Sequence, residues 1–330
     1  MAGNRVNFWL TIACLAPAIW AQPQTRPIKR PLNNQLAIEG PDAPVGRVEP
    51  PAAVTGVTNQ LVFHVSPLSS KGLLSQQVED ALKALDKANG NSAFLKLRAF
   101  VAGGDLRRVQ AIVTELFTEK KWPLPALTTV QVGSLLQEGS QVVIESVSEE
   151  KRAVSSGGLG FIPAVTGASG AEAVSALAKA FGASAALRVT CFAESQAEAE
   201  AARTAAAKQF PKAAGVFIQT TRYTLGTGVA CEGVAAGGPV NSSKLMFTGA
   251  QITFGEADAD VSLAFDRLQK AVAPLGANTS KAALMNIYAT SRALADKARG
   301  LAIPSSTALY IEGLQSADAT VAVEVVIPVP

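Results

Sequence analysis

The stretch SSTALYIEGLQSADATVAVEVVI (305–327) reads as a strand, a turn and a second strand, entered through Pro304 and closing in an apolar run around Glu324. The same form occurs twice upstream. ALTTVQVGSLLQEGSQVVIESVS (126–148) follows Pro125 and holds Glu145, and KAAGVFIQTTRYTLGTGVACEGVA (212–235) follows Pro211 and holds Glu232. The proline-to-glutamate separations are 20, 21 and 20 residues. Three such matches, spaced roughly ninety residues apart, make an internal repeat.

The residues between these copies complete one unit. In the first, a helix is expected over 73–88, with Leu74, Val78, Leu82 and Leu85 on one face. The strand AFLKLRAFVA (93–102) follows, then a helix over 105–120 striped by Leu106, Val109, Val113, Leu116 and Phe117 and capped by Asp105. The second unit has helices near 170–181 and 196–209, around the strand AALRVTCFA (185–193). Both open on a capping-box spacing, Ser169 to Glu172 and Ser195 to Glu198. The third has the strand KLMFTGAQI (244–252), a helix over 258–273, a strand near 283–290 and a short helix over 291–299. One unit reads β-α-β-α-β-β, an α+β pattern with helices on one side of a sheet. VAVEVVI (321–327) is apolar at nearly every position, so that strand is expected to be covered on both faces. Its own helices cover one face, which leaves the other to a neighbouring unit.

The repeats divide the chain into units at 57–152, 153–238 and 239–330, the middle one the most degenerate. Ahead of them, Arg5, the apolar run Phe8 to Ile19 and the small Ala21 form a secretory leader over 1–21. A secreted or periplasmic location is the expectation. The apolar run is shorter than the about 20 residues a spanning helix needs, so no stable membrane insertion is expected. Residues 22–56 hold seven of the 18 prolines without hydrophobic periodicity, the composition of an extended spacer.

Composition removes several classes of function. The chain has 330 residues, 48% hydrophobic, with 29 basic against 26 acidic side chains. Without leader and spacer the net charge is only about +1 and no basic run occurs, so no nucleic-acid partner is expected. A single histidine, His64, and the lack of any His/Cys cluster at zinc-ligand spacing leave no expected metal or cofactor. Cys191 and Cys231 both lie in apolar strand-like runs, where buried free thiols are favoured over a bridge.

FTGAQI (247–252), MNIYAT (285–290) and IPSSTALYIEGL…VAVEVVIP (303–328) resemble the RidA family, the YjgF-type reactive-intermediate deaminases. LKLRAFVAGG…VVIESVS (95–148) is at least as similar, and the middle unit is recognisable mainly by FPKAAGVFIQ and VACEGVA. The resemblance covers about 61–328. It implies a chorismate-mutase-like fold, here as three tandem modules forming an intrachain pseudo-trimer, a monomer in solution. It also implies ligand clefts between modules, an arginine that grips the carboxylate of an imino or enamino acid, and a glutamate that places the hydrolytic water. The glutamate positions are kept as Glu145, Glu232 and Glu324. The arginine positions, two residues past each proline, hold Leu127, Ala213 and Ser306. None of these can replace a bidentate guanidinium clamp.

The expected function is therefore that of a non-catalytic relative that binds a small carbonyl or imino metabolite. The alternatives are an imine or enamine hydrolase in which a cleft glutamate places water and another cation holds substrate, and a purely structural or interaction module. Other features read more simply. Gly157-Gly158-Leu159-Gly160 is a junction between repeats, and Asp258 and Asp260 open a helix. His64 and Ser66 have no acid partner by pattern, Arg222 is a turn residue, and Asn241 and Asn278 stand in glycosylation sequons.

Overall fold

A computed structural model of the chain describes residues 49–90, 92–103, 105–149, 158–220, 228–238 and 243–329. The leader, most of the spacer, Gly157, Arg222 and Asn241 lie outside the described residues. The described chain begins with β1 (Ala53–Thr58) and continues into a first module. That module comprises β2 (Leu61–Val65), α1 (Leu74–Asn89), β3 (Phe94–Ala102), α2 (Leu106–Glu119), β4 (Ala126–Val132), β5 (Ser134–Leu135) and β6 (Val142–Glu149). The second comprises β7 (Leu159–Gly167), α3 (Gly170–Phe181), β8 (Ala186–Ala193), α4 (Gln196–Gln209), β9 (Ala214–Gln219) and β10 (Val229–Ala236). The third comprises β11 (Ser243–Thr248), β12 (Gln251–Phe254), α5 (Asp258–Val272), β13 (Leu284–Ala289), α6 (Arg292–Arg299), β14 (Ser306–Tyr310), β15 (Gly313–Leu314) and β16 (Ala319–Val329).

The three modules share one strand order. It is β2-β6-β3-β4 in the first, β7-β10-β8-β9 in the second and β11-β16-β13-β14 in the third. In each, the last strand runs antiparallel between the first and second strands, and the second and third are parallel across a helix. Strands also cross between modules. β5 pairs with β14 through Leu135 and Leu309, and β15 pairs with β9 through Leu314 and Ile218. β1 pairs with β11 over its whole length, so residues 53–56, read from sequence as spacer, are strand.

Two other expectations need correction. Leu159 and Gly160 are not a flexible junction but the start of β7, an edge strand whose Pro163 and glycines hide its pattern. KLMFTGAQI is two strands, broken at Gly249-Ala250, where Gly249 lies against the backbone of Gly215.

The helices form where their caps and stripes require. Ser169 accepts from the Glu172 amide and Ser195 from the Glu198 amide, both at 3.3 Å, and Asp105 accepts from Arg108 at 3.0 Å. Glu198 does not complete its own capping box. Its carboxylate instead accepts from the Gly170 amide at 2.6 Å, tying α3 to α4. A side chain at Gly170 would meet the Glu198 carbonyl, and the α4 face there is alanine (Ala199, Ala202, Ala206), so the two helices approach closely.

Alternation along β16 shows how both faces are buried. Val321, Val323, Val325 and Ile327 join the core under α5 and α6, while Ala322 and Val326 face the other modules. Each module has one such helix-side core. Two further cores draw on all three modules. One contains Phe100, Phe192 and Tyr288, and the other Phe63, Phe247, Val147, Val234 and Val326, with Phe161 packed against it. Between these apolar layers lies a polar one.

Candidate functional site

Glu145, Glu232 and Glu324 stand at matching places on β6, β10 and β16, all pointing to the inner face, and they converge in the polar layer. This differs from the expected arrangement of one glutamate per cleft. Their register partners are Arg98, Thr190 and Asn286. Two residues earlier on the same strands come Lys96, Arg188 and Leu284, and two later come Phe100, Phe192 and Tyr288. The cluster thus holds three carboxylates and three cations, though the cations occupy only some of the equivalent positions.

The bonds are dense. Arg98 donates to Glu145 Oε2 through Nε at 2.9 Å and Nη2 at 2.7 Å, and to Glu232 Oε1 through Nη1 at 3.1 Å. Lys96 Nζ donates to the same Glu232 oxygen at 2.6 Å. Arg188 donates to Glu324 Oε2, Tyr288 to Glu324 Oε1 at 3.0 Å, and Asn286 to Glu145 Oε1 at 2.5 Å. Glu145, Glu232 and Glu324 are 3%, 2% and 0% exposed. Buried carboxylates persist only when paired in this way.

Titration follows the pairing. Burial alone would raise Glu232, but the Lys96 ammonium and Arg98 guanidinium together outweigh it and hold the carboxyl at about 2. Burial drives the Tyr288 hydroxyl up, and neighbouring Glu324 adds to the shift. Lys96 is lowered by burial, against the pull of Glu232. A carboxyl depressed in the folded state adds stability above its unfolded value, and that stability disappears as pH falls through the folded one. For Glu232 the window runs from about 4.5 down to about 2 and is worth on the order of 3 kcal/mol. Urea unfolding of wild type and Glu232→Gln between pH 7 and 3 is expected to show a shallower acid slope in the variant. Equal slopes would dismiss the assignment.

Clefts open where modules meet. The larger, about 330 Å³, lies between the first and third modules and is lined by Ser66, Gln137, Arg299, Ser306 and Thr307 among others. Arg292 on α6 donates to the carbonyl of Leu136, one of the lining residues, at 2.8 Å. A second, about 230 Å³, lies between the second and third modules. Its cations are engaged: Arg203 is held by Glu200 at 2.8 Å through two bonds, and Arg267 donates to the Ile252 carbonyl. At the remaining seam β4 and β7 pack directly, and Thr128 Oγ1 accepts from the Ala164 amide at 3.1 Å.

Thr307 is the counterpart of Thr128, three residues past its proline. It is 3% exposed, yet its hydroxyl has no hydrogen-bond partner among the described residues. Of the three positions at which the resemblance places an arginine, only Ser306 lines one of these two clefts. Leu127 packs onto the helix-side core of the first module, and Ala213 belongs to that of the second.

Sequence reasoning missed Lys96, Arg98 and Arg188. Their signal was alternation: in KLRAF (96–100) Lys96, Arg98 and Phe100 fall on one face of a strand whose other face, Leu97 and Ala99, is apolar. It also missed Arg299 and Thr307, which come together only through tertiary packing. His64 sits opposite Ser146 on β2, and Ser66 Oγ accepts from the Ile144 amide, so the two form no triad. Asp258 and Asp260 open α5, with Asp260 accepting from the Ala257 amide at 3.0 Å. Among the described residues no group of three His, Cys, Asp or Glu side chains is placed to hold a metal ion.

The cysteines overturn the sequence expectation. Cys191 and Cys231 face each other across β8 and β10 and are bonded, with S–S 2.10 Å and Cα–Cα 4.1 Å. Strand register, which spacing alone does not reveal, brings them together.

No protein-family profile matches the chain, and no curated protein does. Solved structures do. A chorismatase aligns with a TM-score of 0.51 at 12% identity, over 82% of this chain and 99% of its own. A cyanuric acid hydrolase from A. caulinodans aligns with a TM-score of 0.50 at 11% identity, over 81% and 99%. A YjgF/YER057c/UK114-family protein from Mycobacterium tuberculosis aligns over 30% of this chain and 80% of its own, at 21% identity and a TM-score of 0.21. The chain therefore has a chorismatase-like α+β fold across most of its length.

Proposed function

We propose that this chain is an exported, single-chain pseudo-trimer of RidA-like modules that binds a small carbonyl or imino carboxylate without turning it over. The binding site is the cleft between its first and third modules. The observation that carries this is a cleft of about 330 Å³ lined by Ser306, Thr307 and Arg299, with the Thr307 hydroxyl buried in its wall and unpartnered among the described residues. At the closed seam the equivalent hydroxyl is satisfied by a backbone amide. A ligand oxygen or N–H takes that place in the open one. Arg299, exposed on the same cleft and without a carboxylate partner among the described residues, supplies the charge that Ser306 does not.

The volume suits a small metabolite. The two fold neighbours that align over most of the chain are named for action on small molecules, which supports the same class of ligand. The three glutamates belong to the ion-paired cluster rather than to the cleft, so this reading gives them no part in handling the ligand. The disulfide supports export, since such bonds persist in oxidising compartments.

Calorimetry with 2-oxobutanoate as probe tests the site. Wild type is expected to bind, with affinity about tenfold weaker in Arg299→Ala and weakened in Thr307→Val. Arg203→Ala, in the other cleft, is expected to leave it unchanged. No binding by wild type, or equal loss in all three variants, would reject the assignment. Release of ammonia from an added enamine above the buffer rate would replace binding with catalysis.

A further inference from the structure

Helix α2 closes in a turn that glycine usually makes. Among the described residues Lys121 is the only non-glycine at positive φ, 55°, and the Trp122 amide donates back to the Phe117 carbonyl at 2.9 Å. The turn sets the Trp122 indole 5.5 Å from the Phe117 ring centre and 6.1 Å from that of Phe94. A left-handed lysine costs free energy that glycine would not, and here it fixes an indole in the wall of a cavity. That cavity, about 200 Å³, lies within the first module, and the three rings line it with Ser92 and Pro123. Asp86 is its one charged lining residue.

The carboxylate and the indole already hold an ammonium. Lys120 Nζ is 3.4 Å from Asp86 Oδ2 and 4.0 Å from the centre of the Trp122 ring. The lysine side chain is 41% exposed, and so open a pair is weak. We propose that this cavity is a second ligand site, independent of the seam cleft, and that it takes a small organic ammonium in place of Lys120. Asp86 repels an anion. One carboxylate among aromatic walls falls short of the several oxygens an inorganic cation requires. A quaternary ammonium needs neither, because its methyl groups rest on the rings while its charge meets their faces and Asp86. The volume is below the about 300 Å³ at which drug-sized sites begin, which limits the ligand to a cation near choline in size.

The test uses choline and its uncharged isostere 3,3-dimethyl-1-butanol. The chain has three tryptophans, so Trp9→Phe with Trp20→Phe leaves the full chain with Trp122 as sole reporter. Choline is expected to change its fluorescence saturably, at about millimolar concentration, and the isostere to bind about tenfold more weakly. Asp86→Asn is expected to weaken choline. Lys120→Gln removes the competing ammonium and is expected to tighten it about twofold to fivefold. No saturable change with choline overturns the proposal, as does equal affinity for the isostere. Unchanged binding in Asp86→Asn, or unchanged or weaker binding in Lys120→Gln, overturns it too. Binding of 2-oxobutanoate at the seam is read separately by calorimetry, so either site can fail alone.

Discussion

Arg98→Met is expected to destabilise the fold by about 3–5 kcal/mol, measured by urea unfolding at pH 7. The guanidinium makes two bonds to Glu145 and one to Glu232, and it lies 5.1 Å from the centre of the Phe100 ring. Methionine fills similar volume but leaves one buried carboxylate with only Asn286 and another with only Lys96. Partial recovery is expected in Arg98→Met with Glu145→Gln, because the second change removes the stranded charge. Lys83→Met is the contrast. Its pair with Glu79 spans 3.7 Å and the lysine side chain is 63% exposed, so a loss of no more than about 1 kcal/mol is expected. Similar losses at both positions would show that the cluster is not a stabilising element.

Reducing the Cys191–Cys231 bond is the second large effect. The two residues are 40 apart in sequence, and a loop of that length corresponds to about 4 kcal/mol in the chain-entropy account. The setting makes the loss hard to absorb. In the first and third modules the equivalent cross-strand pairs are Ala99 with Ile144 and Ile287 with Val323. The helix-side core of the second module is built largely of small residues, among them Ala173, Ala199, Ala202, Ala206 and Ala213. Less apolar area is buried there, so the covalent link carries a larger share of its stability. Intact mass is expected to show the purified chain lighter by two hydrogens than its reduced form. Unfolding of the reduced form is expected at lower urea, and coincident curves would refute the estimate.

The repeat was legible because its period, its prolines and its glutamates are written in the chain. The helices around Val174 and Leu177 and around Val261 and Leu268 also followed from apolar spacing and from serine or acidic starts. What could not be read was the third dimension. Glu145 carries the same local pattern whether it lines an open cleft or meets Arg98 in a closed layer. Only the way sheets stack on one another decides between them. Cys191 and Cys231 needed strand register, and the site at Thr307 needed two modules in contact. β7 was missed because Pro163 and its glycines weaken the strand signal at an edge.

The pairing of β15 with β9 bears on how the protein is made. The middle module's sheet takes its outer strand from Gly313–Leu314, roughly a hundred residues further along. During synthesis, Ile218 and Gln219 at the end of β9 must therefore wait with one edge unpaired until almost the entire polypeptide has left the ribosome. An apolar edge in that state is a template for strands of other chains. Translation that stops before residue 313 is expected to leave a product that aggregates rather than one that folds as two modules. Newly made chains stalled ahead of that point should therefore be the ones that engage chaperones.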